Sequence, residues 1–190
     1  EALRRAVRIV LWPKEEWLVI GNEIPRPTRL LIEFVLPLSF IPAVCWSIGL
    51  AVFGGRGVVA RDSAGLALGE IAHGGLVAML GSGVSVLLVA ASLFVLAPLF
   101  GLFRDWPRAL QVAAYSSAPV FLAGILLVMP DLVFALMLAA IHSFYLQYMG
   151  VQHILGAKTG DAAEYVALVC VLVIVASTIL GAAASWIGAV

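Results

Sequence analysis

The sequence predicts an all-α integral membrane protein, with five transmembrane helices and an N-terminal amphipathic interfacial helix. Three observations carry that expectation. Of the 190 residues 63% are hydrophobic and 12% are charged, with mean hydropathy +1.11; soluble domains are about a quarter charged. Five apolar stretches, about 30–53, 76–103, 109–128, 132–155 and 165–187, each reach the roughly 20 residues that span ~30 Å of hydrocarbon. A polar, charged segment precedes them. Lipid offers backbone N–H and C=O groups no partner, so the stretches must be helices. The chain divides into a cytoplasmic interfacial helix and linker, 1–29, and a five-span bundle, 30–190.

Residues 1–20 read as a surface helix. Leu3, Val7, Val10 and Leu11 fall near one face, and Arg4, Arg5 and Arg8 near another. With Trp12 and Trp17, residues suited to the headgroup layer, the three arginines are the expected interfacial anchors. Pro13 ends or kinks this helix, or starts a second one at Lys14. Ile24-Pro25-Arg26-Pro27-Thr28 is a stiff connector. The first apolar run opens only near residue 30, behind this charged segment, unlike a cleavable signal.

The first span carries Pro37 and Pro42, which predict a kinked or partly opened helix. Residues 54–73 form the largest connection, glycine-rich, where Asp62 or Ser63 suits a helix cap. The second stretch exceeds a bilayer's need, so it tilts or projects, with Pro98 as a bend. Arg104 to Arg108 form a short turn. Only Met129-Pro130-Asp131 joins the third and fourth spans, which makes them an antiparallel hairpin. Residues 156–164 form a polar loop. In the fifth span Cys170, Ser177, Gly181, Ser185 and Gly188 share nearly one face. Small residues at that spacing permit close helix approach, and packing within the bundle is favoured over a dimer seam.

Nine of the eleven basic residues flank one side of the spans, and Arg56 and Arg61 lie on the other. Positive charge stays in the cytoplasm, so the N-terminus is expected inside and the C-terminus outside. Net charge is zero, so no nucleic-acid partner is expected. An Arg-rich composition, heavy in Ala, Gly, Val and Leu, hints at a bacterial chain and hence an inner membrane. Cys45 and Cys170 sit within apolar spans and read as inert thiols. Glu70 and His73, one turn apart, are two metal ligands without a third, so no metal site is expected. The chain has no GxSxG, HExxH or P-loop, so neither a cofactor nor an enzymatic activity is expected.

Polar groups within a membrane are candidates by default. In the fourth span His142, Tyr145, Tyr148, Met149, Gln152 and His153 share an arc of about 140°. His142 lies eleven residues past Asp131, roughly 16 Å deep at about 1.5 Å per residue. This face reads either as a polar pathway or as a helix–helix seam, the seam being favoured. In the third span Gln111, Tyr115 and Pro119 share a face that the fourth span's polar face can meet; Pro119 frees the Tyr115 carbonyl. Glu33 follows Arg29 by four residues, which suits an ion pair at the interface or a carboxylate facing a cavity.

These residues resemble a known family. RIVLWPKEEWLVIGNEIPRPTRLLIEFVLPL, with Pro13, Trp17, a polar linker and Pro37, is similar to the opening of bacterial members of the YIP family (Ypt/Rab-interacting membrane proteins). AAYSSAPVFLAGILLVMPDL, with Tyr115, Pro119 and Pro130, resembles their third span. FYLQYMGVQHILGAKTGDAAEY, with Tyr145, Tyr148 and Gly150, resembles their fourth span and following loop. The resemblance covers nearly the whole chain. It implies five spans with a cytosolic N-terminus, in agreement with the charge count. Eukaryotic relatives are associated with Rab GTPases and vesicle formation, and usually carry a cytosolic N-terminal region longer than residues 1–29.

Two functions are open. The favoured one is a non-enzymatic protein that organises membrane or recruits partners through its N-terminal helix; bilayer lipid, anionic headgroups, protein partners or a second copy would be its contacts. The alternative is a small transporter, channel or lipid-translocating protein using the fourth-span face.

Overall fold

The computed structural model describes residues 1–53, 68–129 and 132–188. Among them there is no strand. Five helical segments are long and apolar enough to cross a membrane: Pro27–Val52, Leu68–Phe100, Trp106–Val128, Phe134–His153 and Thr159–Ala183.

Two helices precede the first span. Helix α1 (Ala2–Leu11) stops at Trp12 (φ −128°, ψ 63°), because the residue before a proline is driven out of the helical region. Pro13 then opens α2 (Pro13–Asn22), at a position where its missing N–H costs nothing. Glu15 and Glu16 lie in the first turn of α2, where the helix dipole favours carboxylates. Pro13 therefore starts a second helix rather than kinking one long helix.

The first span is built in three pieces: α3 (Pro27–Leu30), a wide π-helical turn over Leu31–Val35, and α4 (Leu36–Phe53). In a regular helix the Pro37 ring would meet the Glu33 carbonyl. The turn ahead of it widens instead, and the Leu36 N–H reaches back five residues to the Leu31 carbonyl. The opening expected at Pro37 is this π turn. Pro42 stays inside α4, and the third span closes onto it at Gly124, where a Cβ would lie 2.8 Å from Pro42 Cβ.

Helix α5 (Leu68–Leu96) begins ahead of its apolar stretch and tightens into a 3-10 turn, Ala97–Phe100. Gly101 takes φ 68°, and the Leu102 N–H closes on the Ala97 carbonyl at 3.0 Å. This is a left-handed helix stop that glycine permits. The expected caps at Asp62 and Ser63, with Arg56 and Arg61, lie outside the described residues, as do Pro130 and Asp131.

The third span comprises α6 (Trp106–Ser116), α7 (Ala118–Ala123) and a 3-10 turn, Gly124–Val128. Asp105 caps α6 by accepting the Arg108 N–H at 3.1 Å. Pro119 forces the break between α6 and α7, and the Ser117 hydroxyl donates to the Ala113 carbonyl at 2.7 Å. Of this span's apolar window 56% is buried, against 28% for the first, second and fourth spans and 11% for the fifth. The third span is therefore the axis of the bundle, and it packs on the first, second and fourth.

Helix α8 (Val133–His153) ends in a turn through Gly156, and α9 (Thr159–Gly188) follows. Only the first turns of α9 dock. Ala162 and Tyr165 are fully buried, and the Tyr165 hydroxyl donates to the Leu93 carbonyl. Farther along, α9 is exposed. Ser177 returns its hydroxyl to the Val173 carbonyl at 2.6 Å, and a Cβ on Gly181 would meet nothing within 4 Å. The expectation that the small-residue face packs within the bundle is thus corrected at Ser177 and Gly181, because α5 and α8 meet α9 through its first turns. The side chains of Ser185 and Gly188 lie outside the described residues.

The N-terminal hairpin belongs to the same core. Ala6, Ile9, Trp17 and Ile20 have no exposed surface and pack in one cluster with Tyr115, Leu146 and Val151. Three contacts trace its course. The Val10 carbonyl meets His142 Nε2 at 3.2 Å, the Trp17 indole lies on Gly150, and Gly21 lies beside Ile154 and the His153 carbonyl. Helix α2 thus follows the last half of α8, from its middle to its end, and α1 leads inward to that middle. The expected amphipathic helix is present as α1, and with α2 it docks on the bundle as a hairpin. Helix α1 has two apolar arcs: the small one, Ala6 and Ile9, faces the bundle, and the large one, Leu3, Val7 and Leu11, faces outward.

Candidate functional site

The polar residues of the hairpin converge on one cluster. Glu16 is 3% exposed, and a carboxylate so placed needs compensating charge. Arg5 and Arg8 supply it, from one turn apart on α1. Arg8 reaches Glu16 Oε2 at 3.1 Å, Arg5 Nε lies 3.4 Å from Oε1, and the Arg5 guanidinium also bonds Glu23 at 2.6 Å. Burial alone would lower the Arg5 pKa, but the hydrogen bond to Glu23 and the charges of Glu23 and Glu16 outweigh it and hold the group above its ordinary value. Arg5 is a fixed cation that ties both arms of the hairpin together.

Beneath it lies an aromatic seat. The Arg5 guanidinium stands 5.0 Å from the Tyr115 ring centre, within cation–π range. Tyr115 meets Phe34 at 4.6 Å and Trp17 edge-on at 6.4 Å. Trp17 fits only because position 150 is glycine: a Cβ there would lie 2.9 Å from two indole carbons. A pocket of about 460 Å³ opens beside this seat, lined by Arg5, Glu23, Arg26, Arg29, Glu33 and Gln111 among others. Arg29 pairs with Glu33 at 2.7 Å, the four-residue pair that the spacing allowed.

The sequence-selected residues therefore separate. Arg4, Arg8 and Trp12 face outward, whereas Arg5 and Trp17 turn into the core. Glu33 and Tyr115 share the pocket. On the fourth span, His142 lies against the Val10 carbonyl and 5.9 Å from the Tyr145 ring, and Tyr145 is 44% exposed. Tyr148 packs on the core. Gln152 and His153 bond to carbonyls of their own helix, Tyr148 and Met149. His142 lines neither the hairpin pocket nor the bundle's second cavity.

That second cavity, about 490 Å³, holds the residues that sequence reasoning missed. It is lined on α8 by Leu136, Ala140, Ser143, Phe144 and Gln147. Gln147 is 4% exposed, and neither its Nε2 nor Ser143 Oγ has a partner. The signal was present in the sequence: Leu136, Ala140, Ser143 and Gln147 recur at the spacing of a buried helix stripe.

These features define a polytopic helical membrane protein, whose charged N-terminal hairpin is locked onto a bundle of five apolar spans. The chain belongs to the YIP family: the family described as "Yip1 domain" matches residues 7–187, which takes in most of the hairpin as well as the spans. No curated protein and no solved structure matches the chain.

Proposed function

We propose that this protein is a non-enzymatic organiser of membrane, acting through its N-terminal hairpin on the cytoplasmic leaflet. One observation carries the reading: Leu3, Val7, Leu11 and Trp12 form an exposed apolar ridge, 56%, 39%, 58% and 54% accessible, on a hairpin whose opposite side is locked into the bundle. Arg4, exposed near the start of α1, is the ridge's cation for anionic headgroups, while Arg8 is paired with Glu16. A free amphipathic helix binds and leaves a bilayer. A docked one stays in a single leaflet and widens it wherever the bundle goes. The association of eukaryotic relatives with vesicle formation fits such a wedge, and the same ridge and arginines offer a surface to a protein partner. His142 meets the hairpin backbone rather than a cavity, which supports this reading over transport.

Deleting residues 1–20 is a poor test, because it strips Ile9, Trp17 and Ile20 from the core. A Leu3→Ser, Val7→Ser, Leu11→Ser variant removes the ridge and leaves the buried face. Reconstituted at equal density into anionic liposomes, the natural chain should yield smaller or tubulated vesicles, and the variant should not. Equal vesicle sizes for both would reject the wedge.

A further inference from the structure

We infer that the second cavity is a binding site for an uncharged membrane lipid whose head carries carbonyl oxygens. The inference is independent of the hairpin reading. The cavity is a cleft between α5 and α8, which stand apart across it, backed by α4 and α7. Its walls are hydrocarbon and aromatic: Trp46, Val89, Phe121, Leu127, Leu136 and Phe144. No lining residue carries a charge, so a phosphate, carboxylate or ammonium head would enter without a counterion and at high desolvation cost. A volume of this size lies within the range of small-ligand pockets, about 300–1,000 Å³.

Two groups decide the polarity of the ligand. Gln147 and Ser143 line the cleft, and Gln147 Nε2 and Ser143 Oγ are buried with no hydrogen-bond partner. A buried donor left unmade is expensive, more so where no water reaches. Ser116 and Ser117, by contrast, spend their hydroxyls on the Ala113 carbonyl. The amide thus waits for an acceptor, and Ser143 provides a second donor one helical turn away, with Cβ atoms about 5–6 Å apart. Gln147 stands six residues from the end of α8 at His153, about 9 Å in, and Ser143 about 15 Å. That is inside the hydrocarbon, below the reach of a charged headgroup. Among lipids without a charged head, a diacylglycerol and an isoprenoid quinone both carry two carbonyl acceptors on an apolar body.

The full chain in phosphatidylcholine nanodiscs provides the test, read by quenching of the Trp46 share of fluorescence, defined by difference from Trp46→Phe. The quenchers are brominated diacylglycerol, a quinone analogue and brominated phosphatidylglycerol as the charged control. Saturable quenching by either neutral lipid, weakened about 3- to 10-fold by Gln147→Leu, as loss of one neutral hydrogen bond implies, supports the site and names its source. Thermal melting guards against misfolding: Gln147→Leu should melt no lower than the natural chain, since it removes an unpaired buried group. Quenching by neither lipid, equal quenching by the charged control, affinity unchanged in Gln147→Leu, or occupation of the cleft by a second copy seen as a crosslinked dimer would each overturn the inference.

Discussion

Trp17→Ala should release the N-terminal hairpin from the bundle. Trp17 has no exposed surface, and its indole lies against Gly150 and meets Tyr115 edge-to-face. Its ring N–H has no acceptor, so packing alone keeps it there. Truncating a buried tryptophan to alanine costs about 3–5 kcal/mol, through lost transfer energy and the cavity left behind. Lipid rather than water bathes part of this surface, which favours the lower end. About 3 kcal/mol is still a ~100-fold shift toward the undocked hairpin. Hydrogen exchange on the chain in nanodiscs reads it directly: amides of α1 and α2 should lose about that much protection, while those of α6 hold theirs. Trp17→Phe keeps a ring in the seat and sacrifices no hydrogen bond, so it should lose far less. The reverse perturbation, Gly150→Ala, puts a Cβ 2.9 Å from the indole and should cost about 1–3 kcal/mol by overpacking. With Trp17→Leu in place that clash disappears, so the two costs should not add. Unchanged α1–α2 exchange in Trp17→Ala, or strict additivity in the cycle, would refute the seat.

Three further outcomes follow from the same geometry. Glu16→Ala leaves Arg5 and Arg8 without their shared carboxylate; because Arg8 is half exposed, the loss in a thermal melt should be about 1–3 kcal/mol, below the ~3–5 of a fully buried broken pair. Gly124→Ala sets a Cβ 2.8 Å from Pro42 Cβ and 2.9 Å from its Cα, so backbone must move and stability should fall by about 1–3 kcal/mol. Gly181→Leu, with open space around it, should change the stability of the monomer by no more than about 0.5 kcal/mol; a larger loss, measured as a function of protein density, would show that a second copy covers that face.

The membrane class, the span count and the helical fold were readable because each rests on a property that survives without tertiary context. A run of twenty apolar residues has one solution in lipid, whatever its neighbours. Prolines 13, 37 and 119 likewise act through local sterics, and each breaks or widens a helix where it stands. What the sequence withheld depends on which side of a helix finds a neighbour. Arg5 and Arg4 are adjacent and look alike, yet one stacks on Tyr115 and the other faces out, because Glu16 comes from α2 and Glu23 from the residue that follows it. Ser177 and Gly181 have the spacing of a tight seam, and among the described residues no other helix packs on them.

The same limit separates the two polar faces of the fourth span. Histidine and tyrosine are conspicuous within an apolar stretch, so the arc through His142 and Tyr145 stands out in the sequence. Yet these are the groups that a membrane tolerates most easily: they find a backbone carbonyl, as His142 does at Val10 and His153 at Met149, or they lie at an accessible surface, as Tyr145 does. A polar group that has satisfied itself has no further interaction to give. Gln147 is less conspicuous in sequence, but it is buried, neutral and unpaired. In a solvent that cannot hydrogen-bond, the unsatisfied donor exerts the stronger demand on whatever fills the space beside it. Function within a bilayer is therefore better sought where a donor lacks a partner than where polar residues are most crowded, and in this bundle that criterion points to the cleft between α5 and α8.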